Sequence, residues 1–273
     1  MTVPETIGGL TVTEIGSHAF AFVGIEKIKL PDTIEKIGDG AFWQNYFTSF
    51  ELPPSVTEIA ANTFRECHLL ANINLNDGIK SIGEVAFQDC NALTKIVIPK
   101  SVKTLGDAVF YSCRGLKSVV IPESITEIPL YTFFCCLELT DVNWHNGITS
   151  IGEAAFNQCS SLKKIVINNP DCTIYDKETT LPKAVVIYGA KASTAENYAK
   201  KYGMQFASID ISMIGDVDGN SNITATDARL ALRISAKLLI PTEAQKTAAD
   251  IDKSGNVTAA DARKILRIPA QLD

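Results

Sequence analysis

The stretch that decides the fold occupies residues 82–99 and reads IGEVAFQDCNALTKIVIP. Its second half places apolar residues at the alternating positions Ile96 and Ile98, as a short strand with one buried side does, and Pro99 ends the strand. Its first half carries Phe87 and Cys90 before the strand begins. A unit this short cannot bury its own apolar side chains, so the stretch predicts a structure in which several copies pack on one another.

The same pattern recurs along the chain at a fixed interval. Ile-Gly-x-x-Ala-Phe occupies residues 15–20, 37–42, 82–87 and 151–156, and looser copies end at positions 64, 110 and 133. The seven phenylalanines that end these copies are 22 or 23 residues apart. This period predicts a coil with one short strand per turn, whose strands stack into a parallel sheet.

The full motif, I-G-x-x-A-F-x-x-C-x-x-L-x-x-I-x-I-P, resembles the leucine-rich repeats of bacterial surface proteins of the BspA type. The resemblance implies a leucine-rich-repeat solenoid of the α+β class, with a parallel sheet on one face, over residues 1–167. Residues 168–208 break the period, and we interpret them as a C-terminal cap of the solenoid. Within them, Ser193 and Glu196 are spaced as a capping box that opens a short helix, and Gly203 is placed to end it.

Five of the seven cysteines recur three residues after the repeated phenylalanine: Cys67, Cys90, Cys113, Cys136 and Cys159. One thiol per turn at a fixed phase predicts a stack of small apolar side chains inside the coil. A zinc site requires ligands that converge as a tetrahedron, which a linear stack does not provide. Disulfides between adjacent turns are within geometric reach, but five thiols in a row cannot all pair.

The last part of the chain contains two oxygen-rich loops that begin 34 residues apart, at positions 216 and 250. Calcium takes six to eight oxygen ligands, and these loops provide oxygens at the spacing of an EF-hand loop. The first loop offers Asp216, Asp218, Asn220, Asn222, Thr224 and Asp227, and the second offers Asp250, Asp252, Ser254, Asn256, Thr258 and Asp261. Position 7 (Asn222, Asn256) contributes its backbone carbonyl, and position 9 (Thr224, Thr258) often acts through water. Without a cation, the clustered carboxylates repel one another, so we expect two calcium ions to order this region.

Each loop is followed by a helix, and only a short segment precedes the first loop. This duplicated loop-helix pattern resembles a type I dockerin, a small all-α, EF-hand-like module, at residues 216–273, with 209–215 as a linker. The resemblance implies that the module binds a cohesin domain of a scaffoldin, as in cellulosomes. Carried over from the family, the cohesin contacts are Ala225, Thr226, Arg229, Arg233, Lys237, Ala259, Ala260, Arg263 and Arg267.

The two loops differ at position 6, where the sharp turn favours glycine. The second loop has Gly255 there and the first has Ser221. A non-glycine residue in this conformation costs on the order of 1 kcal/mol, so we expect the first site to bind calcium more weakly. Calorimetry on Asp216→Ala and Asp250→Ala should separate the sites, and equal affinities would refute the expectation.

Composition restricts the remaining possibilities. The net charge of −6 and pI near 5.2 argue against nucleic acid as a partner, because phosphate binding needs a basic patch. No apolar run approaches the ~18 residues that a membrane helix needs, so we expect no membrane partner. Met1 leads straight into Thr2-Val3-Pro4-Glu5 rather than into a signal peptide. We nevertheless expect a secreted, extracellular protein, held in a cellulosome on a bacterial surface, whose natural chain begins earlier and carries a leader.

The solenoid is expected to bind a protein or a glycan rather than to catalyse a reaction. The three histidines, His18, His68 and His145, lie at variable positions of different repeats, with no nucleophile in a recognisable arrangement. We therefore predict no catalytic residues. A candidate ligand face follows the repeated phenylalanine and comprises Trp43, Arg65, Tyr111 and Phe134; simple packing at the turn edge is the alternative. Two other functions stay open: an adhesin merely anchored by its dockerin, and a fragment of a larger enzyme.

Overall fold

The computed structural model divides the chain into two compact units, Met1–Ser208 and Ile209–Asp273. It describes residues 1–143, 145, 147–209, 215, 217, 223, 225–241, 243–252 and 254–267. Most of the predicted linker, residues 209–215, lies outside the described residues. Along the described ranges, none of the helices combines the length and the apolar character needed to cross a bilayer.

The first unit consists mainly of very short strands, and the second unit of helices. In chain order the elements are β1 (Thr6–Ile7), β2 (Leu10–Thr11), β3 (Glu14–Ile15), β4 (Lys36–Ile37), β5 (Ser49–Glu51), β6 (Glu58–Ile59), β7 (Asn72–Asn74), β8 (Ser81–Ile82), β9 (Lys95–Val97), β10 (Thr104–Leu105), β11 (Ser118–Val120), β12 (Glu127–Ile128), β13 (Asp141–Asn143), β14 (Ser150–Ile151), β15 (Lys164–Ile167), β16 (Thr173–Ile174), a 3-10 turn (Glu178–Thr180), β17 (Val186–Gly189), α1 (Thr194–Tyr202), β18 (Gln205–Ser208), α2 (Ala225–Ser235), α3 (Glu243–Ala249) and α4 (Ala259–Arg267).

The predicted strand of each repeat forms one row along the solenoid, here called the first strand row. It contains β5 and β7, then β9, β11 and β13, then β15, β17 and β18, and every pairing within these groups is parallel. The register brings equivalent residues side by side, as in Lys95 beside Ser118 and Ile96 beside Val119. The stacked parallel strands confirm the solenoid fold.

The expectation of one strand per turn was wrong, because each turn contributes a second strand of two residues. These strands form a second strand row, parallel throughout, of β3 and β4, then β6, β8 and β10, then β12, β14 and β16. Each points one residue outward and one into the core, as Glu58 and Ile59 do. Two residues are too few for the apolar–polar alternation that identifies a strand in a sequence.

The glycine after the second strand row is required by the close approach of successive turns. A Cβ on Gly83 would lie 2.5 Å from the backbone nitrogen of Ala61, and a Cβ on Gly106 would lie 2.3 Å from that of Glu84. Contacts this short do not occur between a real Cβ and a backbone atom. The Ile-Gly pair of the motif therefore marks the place where the backbone of one turn lies directly on the next.

Hydrogen bonds also join the turns around each repeated phenylalanine, a segment here called the turn edge. The N–H groups of His18, Phe20 and Phe22 donate to carbonyls of the next turn at 2.8–2.9 Å, and the later turns repeat this arrangement. The residues two before and two after each phenylalanine take positive φ, for example 57° at His18 and 62° at Phe22. The hydrogen bonds offset the cost of this left-handed backbone in non-glycine residues.

The core of the solenoid is a column of phenylalanine rings beside a column of thiols. The repeated phenylalanines, Phe20, Phe42, Phe64, Phe87, Phe110, Phe133 and Phe156, stack in sequence with ring centroids 5.2–5.9 Å apart. All seven cysteines are free and buried, which confirms the predicted thiol stack. Each thiol of the column donates to the phenylalanine carbonyl of the preceding turn, as Cys113 does to Phe87 at 2.9 Å. Burial raises the pKa of Cys113, and so disfavours the thiolate that a zinc site or a disulfide exchange would need.

Residues 168–208 extend both strand rows as well as adding a helix. Strands β17 and β18 continue the first strand row, β16 continues the second, and α1 packs against all three. Ser193 is the N-cap of α1 and accepts from the Glu196 N–H, and Gly203 ends the helix at φ 60°, as predicted. The Glu196 carboxylate binds the N–H of Ala192, one residue before the N-cap. The sequence analysis missed β17 and β18 because their repeats lack the phenylalanine.

Candidate metal-binding and docking site

The second unit places its helices around a small core of its own. Helices α2 and α4 pack together, and Ala228, Ala231, Ala262 and Ile265 are buried between the elements. Ile223 and Val257, which occupy position 8 of the two loops, pack against this core. Helix α3 was not predicted: it precedes the second loop, so the described part of that loop lies between two helices, α3 and α4.

The second loop brings together the carboxylates of Asp250, Asp252 and Asp261. One carboxylate oxygen from each lies within 4.8 Å of the others, although the residues are spread over twelve positions of the chain. Asp261 is fully buried at the start of α4, Asp250 is half-buried, and Asp252 is exposed. Like charges at this separation repel one another, so the cluster favours a cation at its centre.

Backbone N–H groups hold the carboxylates in place. Asp250 accepts from the N–H of Ser254 at 3.0 Å and from that of Gly255 at 2.7 Å. Gly255 has φ 84°, the left-handed conformation that position 6 was expected to need. The backbone therefore turns back over Asp250 at Gly255, which has no Cβ to oppose this conformation.

Asp261 joins the loop to the helix behind it. Its carboxylate accepts from the Thr258 N–H at 2.8 Å, the Thr258 hydroxyl at 2.7 Å and the Asp252 N–H at 3.3 Å. This is the reciprocal bond of a capping box, in which the third helical residue binds back to the N-cap. An ion bound to Asp261 would therefore help to fix the first turn of α4, because the same carboxylate bonds to the N-cap residue.

The remaining predicted ligands of this loop are close to the same group. The Ser254 hydroxyl lies 3.4 Å from Asp250 and donates to the Asn256 carbonyl at 3.1 Å. Bonds from Ser254 and then from Lys264 lower the pKa of Asp252. The donor set consists of carboxylate, hydroxyl and carbonyl oxygens, which fits the hard, oxygen-binding Ca²⁺.

The first loop is described only in part. Of its predicted ligands, Asp227 is fully buried and accepts from the Val217 N–H at 2.8 Å, so a loop N–H again donates to the carboxylate that begins the helix. The other five predicted ligands, Asp216, Asp218, Asn220, Asn222 and Thr224, lie outside the described residues. Ser221, on which the expected affinity difference depends, lies outside them as well.

Comparison with known families identifies both units. The BspA type leucine-rich repeat region matches in six copies over residues 6–114 and 80–179. The chain belongs to the BspA-type leucine-rich repeat family. Residues 214–267 match the type I dockerin domain. A search of curated proteins finds no significant match.

Three solved structures are similar to this leucine-rich repeat protein. A leucine-rich repeat protein from T. pallidum is 26% identical, with 76% of this chain and 84% of that chain covered and a TM-score of 0.45. A leucine-rich repeat protein from Bacteroides ovatus is 22% identical, with 77% of each chain covered and a TM-score of 0.36. A leucine-rich cell surface protein from Faecalibacterium prausnitzii is 18% identical, with 76% and 86% covered and a TM-score of 0.34.

The two families define the kind of protein. Leucine-rich repeats and type I dockerins are non-catalytic interaction modules, and together they indicate a protein-interaction role of the cellulosome type. Type I dockerins bind calcium and bind cohesins, and both families are typical of extracellular, cell-surface proteins.

All nine residues that the dockerin resemblance assigns to cohesin contact are exposed. They are Ala225, Thr226, Arg229, Arg233, Lys237, Ala259, Ala260, Arg263 and Arg267. Arg229 and Arg233 lie one turn apart on α2, and Arg263 and Arg267 occupy the equivalent positions of α4. The four arginines are therefore accessible at the surface of the described helices, and their role in cohesin contact stays a prediction.

The candidate ligand face of the repeats is half-buried and forms two separate groups. The Arg65 guanidinium lies 4.5 Å from the centre of the Trp43 ring. Tyr111 and Phe134 stack at 4.8 Å with their planes 7° apart, and Tyr131 contacts both edge-on. Because the faces of these rings already pack against neighbouring side chains, this arrangement favours packing at the turn edge over a row of rings presented to a ligand.

Proposed function

We propose that this chain is a non-catalytic extracellular subunit of a cellulosome, attached to a scaffoldin cohesin through its dockerin and dependent on two calcium ions. The leucine-rich repeats bind a separate protein or glycan ligand. One observation carries the proposal: Asp250, Asp252 and Asp261 converge in a loop whose last carboxylate caps the helix that bears Arg263 and Arg267.

The dependence on calcium follows from what that loop would do without it. Three carboxylates within 4.8 Å repel one another, and the fully buried side chain of Asp261 is shielded from bulk solvent. A dication in the loop holds Asp261 in place, and Asp261 holds the N-terminus of α4. The exposed arginines of α4 are then fixed for the partner.

The direct test measures binding of the full chain to a purified type I cohesin by calorimetry, with calcium and with a chelator. We expect tight binding in calcium and a loss of at least about a hundredfold in the chelator, because the ion contributes folding free energy to the module. The double variant Asp216→Ala/Asp250→Ala should lose binding in calcium as well. Asp77→Ala, an exposed aspartate of the repeats, is the matched control and should bind normally.

Binding that is the same in calcium and in chelator would refute calcium dependence, and absence of binding to every type I cohesin tested would refute the docking role. The ligand of the repeats needs a second experiment. The full chain, immobilised through a cohesin, is exposed to plant cell-wall polysaccharides and to proteins of bacterial culture fluid. Saturable binding of either class supports the proposed division of roles, and binding of neither would leave attachment as the only function.

A further inference from the structure

The two dockerin copies differ in the charge beside their loops. In the second copy, the Lys264 ammonium lies 3.2 Å from a carboxylate oxygen of Asp252, one of the three carboxylates of the cluster. Thirty-four positions earlier, the equivalent residue of the first copy is Leu230, which packs against the core. We propose that Lys264 sets the calcium affinity of the second loop by competing with the ion for Asp252, an inference that rests on the proposed calcium binding.

The other hydrogen-bond donors to the loop carboxylates differ from Lys264 because they carry no charge that repels a metal ion. Asp250 and Asp261 accept from backbone N–H groups and from the hydroxyl of Thr258, all of which are neutral. A carboxylate has about four lone-pair positions, so these bonds orient it and leave room for calcium. The ammonium of Lys264 carries a full charge and repels a dication at any position in the loop.

Lys264 weakens calcium binding in two ways, through the metal-free loop and through the loaded loop. In the metal-free loop, Lys264 offsets part of the repulsion among the three carboxylates and so stabilises the empty state. In the loaded loop, the same ammonium lies beside the dication and destabilises the bound state. Both contributions weaken calcium binding, and neither requires Lys264 to lose its proton.

Helix α4 fixes the position from which Lys264 acts. Lys264 lies three residues after Asp261, on the same face of the helix, and Asp261 is bonded to the loop through Thr258. The side chains of Lys264 and Asp252 are 47% and 36% exposed, so solvent screens the pair substantially. We therefore expect a modest effect, about three- to tenfold in the dissociation constant.

This effect opposes the one predicted from position 6. Gly255 favours the second site over the first, in which Ser221 occupies that position, whereas Lys264 weakens the second site. Replacing Lys264 by leucine gives the second copy the residue that the first copy has at this position. The contribution of Lys264 that weakens the second site is then removed, and that of Gly255 remains. The difference in affinity between the two sites should then increase.

The test compares Lys264→Leu with Arg263→Leu in the full chain, both with Asp216→Ala to disable the first site. Arg263 is exposed and has the same charge one residue earlier, and no bond joins it to the described loop carboxylates. The readout is the calcium dissociation constant from competition with a chromophoric chelator, at low and at high salt. The amide resonance of Gly255 reports loading of this loop independently.

We expect Lys264→Leu to bind calcium about three- to tenfold more tightly than Arg263→Leu, with a smaller gap at high salt because ions screen the charge. The reciprocal variant, Leu230→Lys in an Asp250→Ala background, should weaken the first site. Equal affinities for Lys264→Leu and Arg263→Leu, or weaker binding by Lys264→Leu, would overturn the proposal. If the native chain binds no calcium, the proposed function fails as well, whereas equal variants with normal native binding refute only the role of Lys264.

Discussion

At the scale of single residues, the solenoid depends on positions where one added carbon atom would prevent two turns from packing together. Gly83 is such a position, since its Cα faces the Ala61 backbone of the preceding turn. Gly16 holds the same place in the first turn, and a Cβ there would meet nothing within 4 Å. The two glycines therefore have the same motif position but different surroundings.

Gly83→Ala should lower the free energy of unfolding by about 1–3 kcal/mol, because the added methyl forces the turns apart. Gly16→Ala is the matched control and should change it by less than about 0.5 kcal/mol. Urea denaturation of the full chain measures both. Similar losses for the two variants would mean that glycine is needed here for some reason other than the approach of the turns.

The thiol column gives a pH dependence with a definite sign. Burial raises the pKa of Cys67 from its ordinary 9.0 to about 12. The unfolded chain releases this proton above pH 9 and the folded chain keeps it, so the stabilising contribution is complete below pH 9 and is lost as the pH rises toward 12.

Cys67→Ser removes the titrating group and keeps a donor for the Phe42 carbonyl, 3.2 Å away in the native protein. We expect its free energy of unfolding to fall less steeply between pH 9 and 11 than that of the native protein, by about 1.4 kcal/mol per pH unit. Denaturant titrations at several pH values give the slope. A slope unchanged by the substitution contradicts the assignment.

At the scale of elements, each turn depends on both of its neighbours. Phe87 is fully buried and stacks on Phe64 and Phe110, at 5.5 and 5.7 Å. Phe20, in the first turn, is half-buried and stacks on Phe42 at 5.7 Å. The column is therefore weaker at its end than in its middle, as expected for repeats that are stabilised by nearest neighbours.

Phe87→Ala should cost about 3–5 kcal/mol, because it leaves a cavity between two rings, and Phe20→Ala should cost less than half as much. Equilibrium unfolding in urea compares them. Phe87→Leu, which fills most of the cavity, should recover part of the loss. Equal costs at the two positions would show that the column does not act through its neighbours.

The sequence predicts those elements that leave a long enough pattern. The alternation around Ile96 predicted the first strand row, and the Ser193–Glu196 spacing predicted the start of α1, because each pattern extends over four or more residues. The two-residue strands such as β6 leave no alternation to read. Helix α3 was missed for a different reason: the sequence analysis followed the duplicated loop-helix pair, and α3 lies outside that pair.

The candidate site was predictable to the extent that it is local. Oxygen side chains at fixed spacing identify Asp250, Asp252 and Asp261 within a single loop, and the structure brings those three together. The ion pair between Lys264 and Asp252 joins residues twelve positions apart across a helix start, and no spacing rule identifies it. The ring contacts of Tyr111 and Phe134 likewise depend on the stacking of turns.

At the scale of the whole molecule, the chain has two units with separate cores and separate sources of stability. The solenoid core contains the phenylalanine and thiol columns, and the core of the second unit is built largely from small side chains such as Ala228 and Ala262. The carboxylate cluster lies in the second unit. Calcium should therefore stabilise one unit and leave the other unchanged.

Calorimetric melting of the full chain should show two transitions, only one of which shifts when calcium is exchanged for a chelator. At a free calcium concentration a hundredfold above the dissociation constant, the gain is about 2.7 kcal/mol. Phe87→Leu identifies the solenoid transition, since it should lower that transition alone. A shift of both transitions with calcium would contradict the independence of the two units.

The turn-edge hydrogen bonds run from the N–H groups of one turn to the carbonyls of the next turn. This direction has a consequence for how the gene can lengthen. At the turn edge, each repeat presents to its successor the same N–H groups and the same kind of ring face that it meets on its predecessor. An in-frame duplication of one turn, by unequal recombination, thus lengthens the coil without requiring any new type of contact. Natural selection can in this way change the length of the solenoid in whole-turn steps, while the dockerin stays the same.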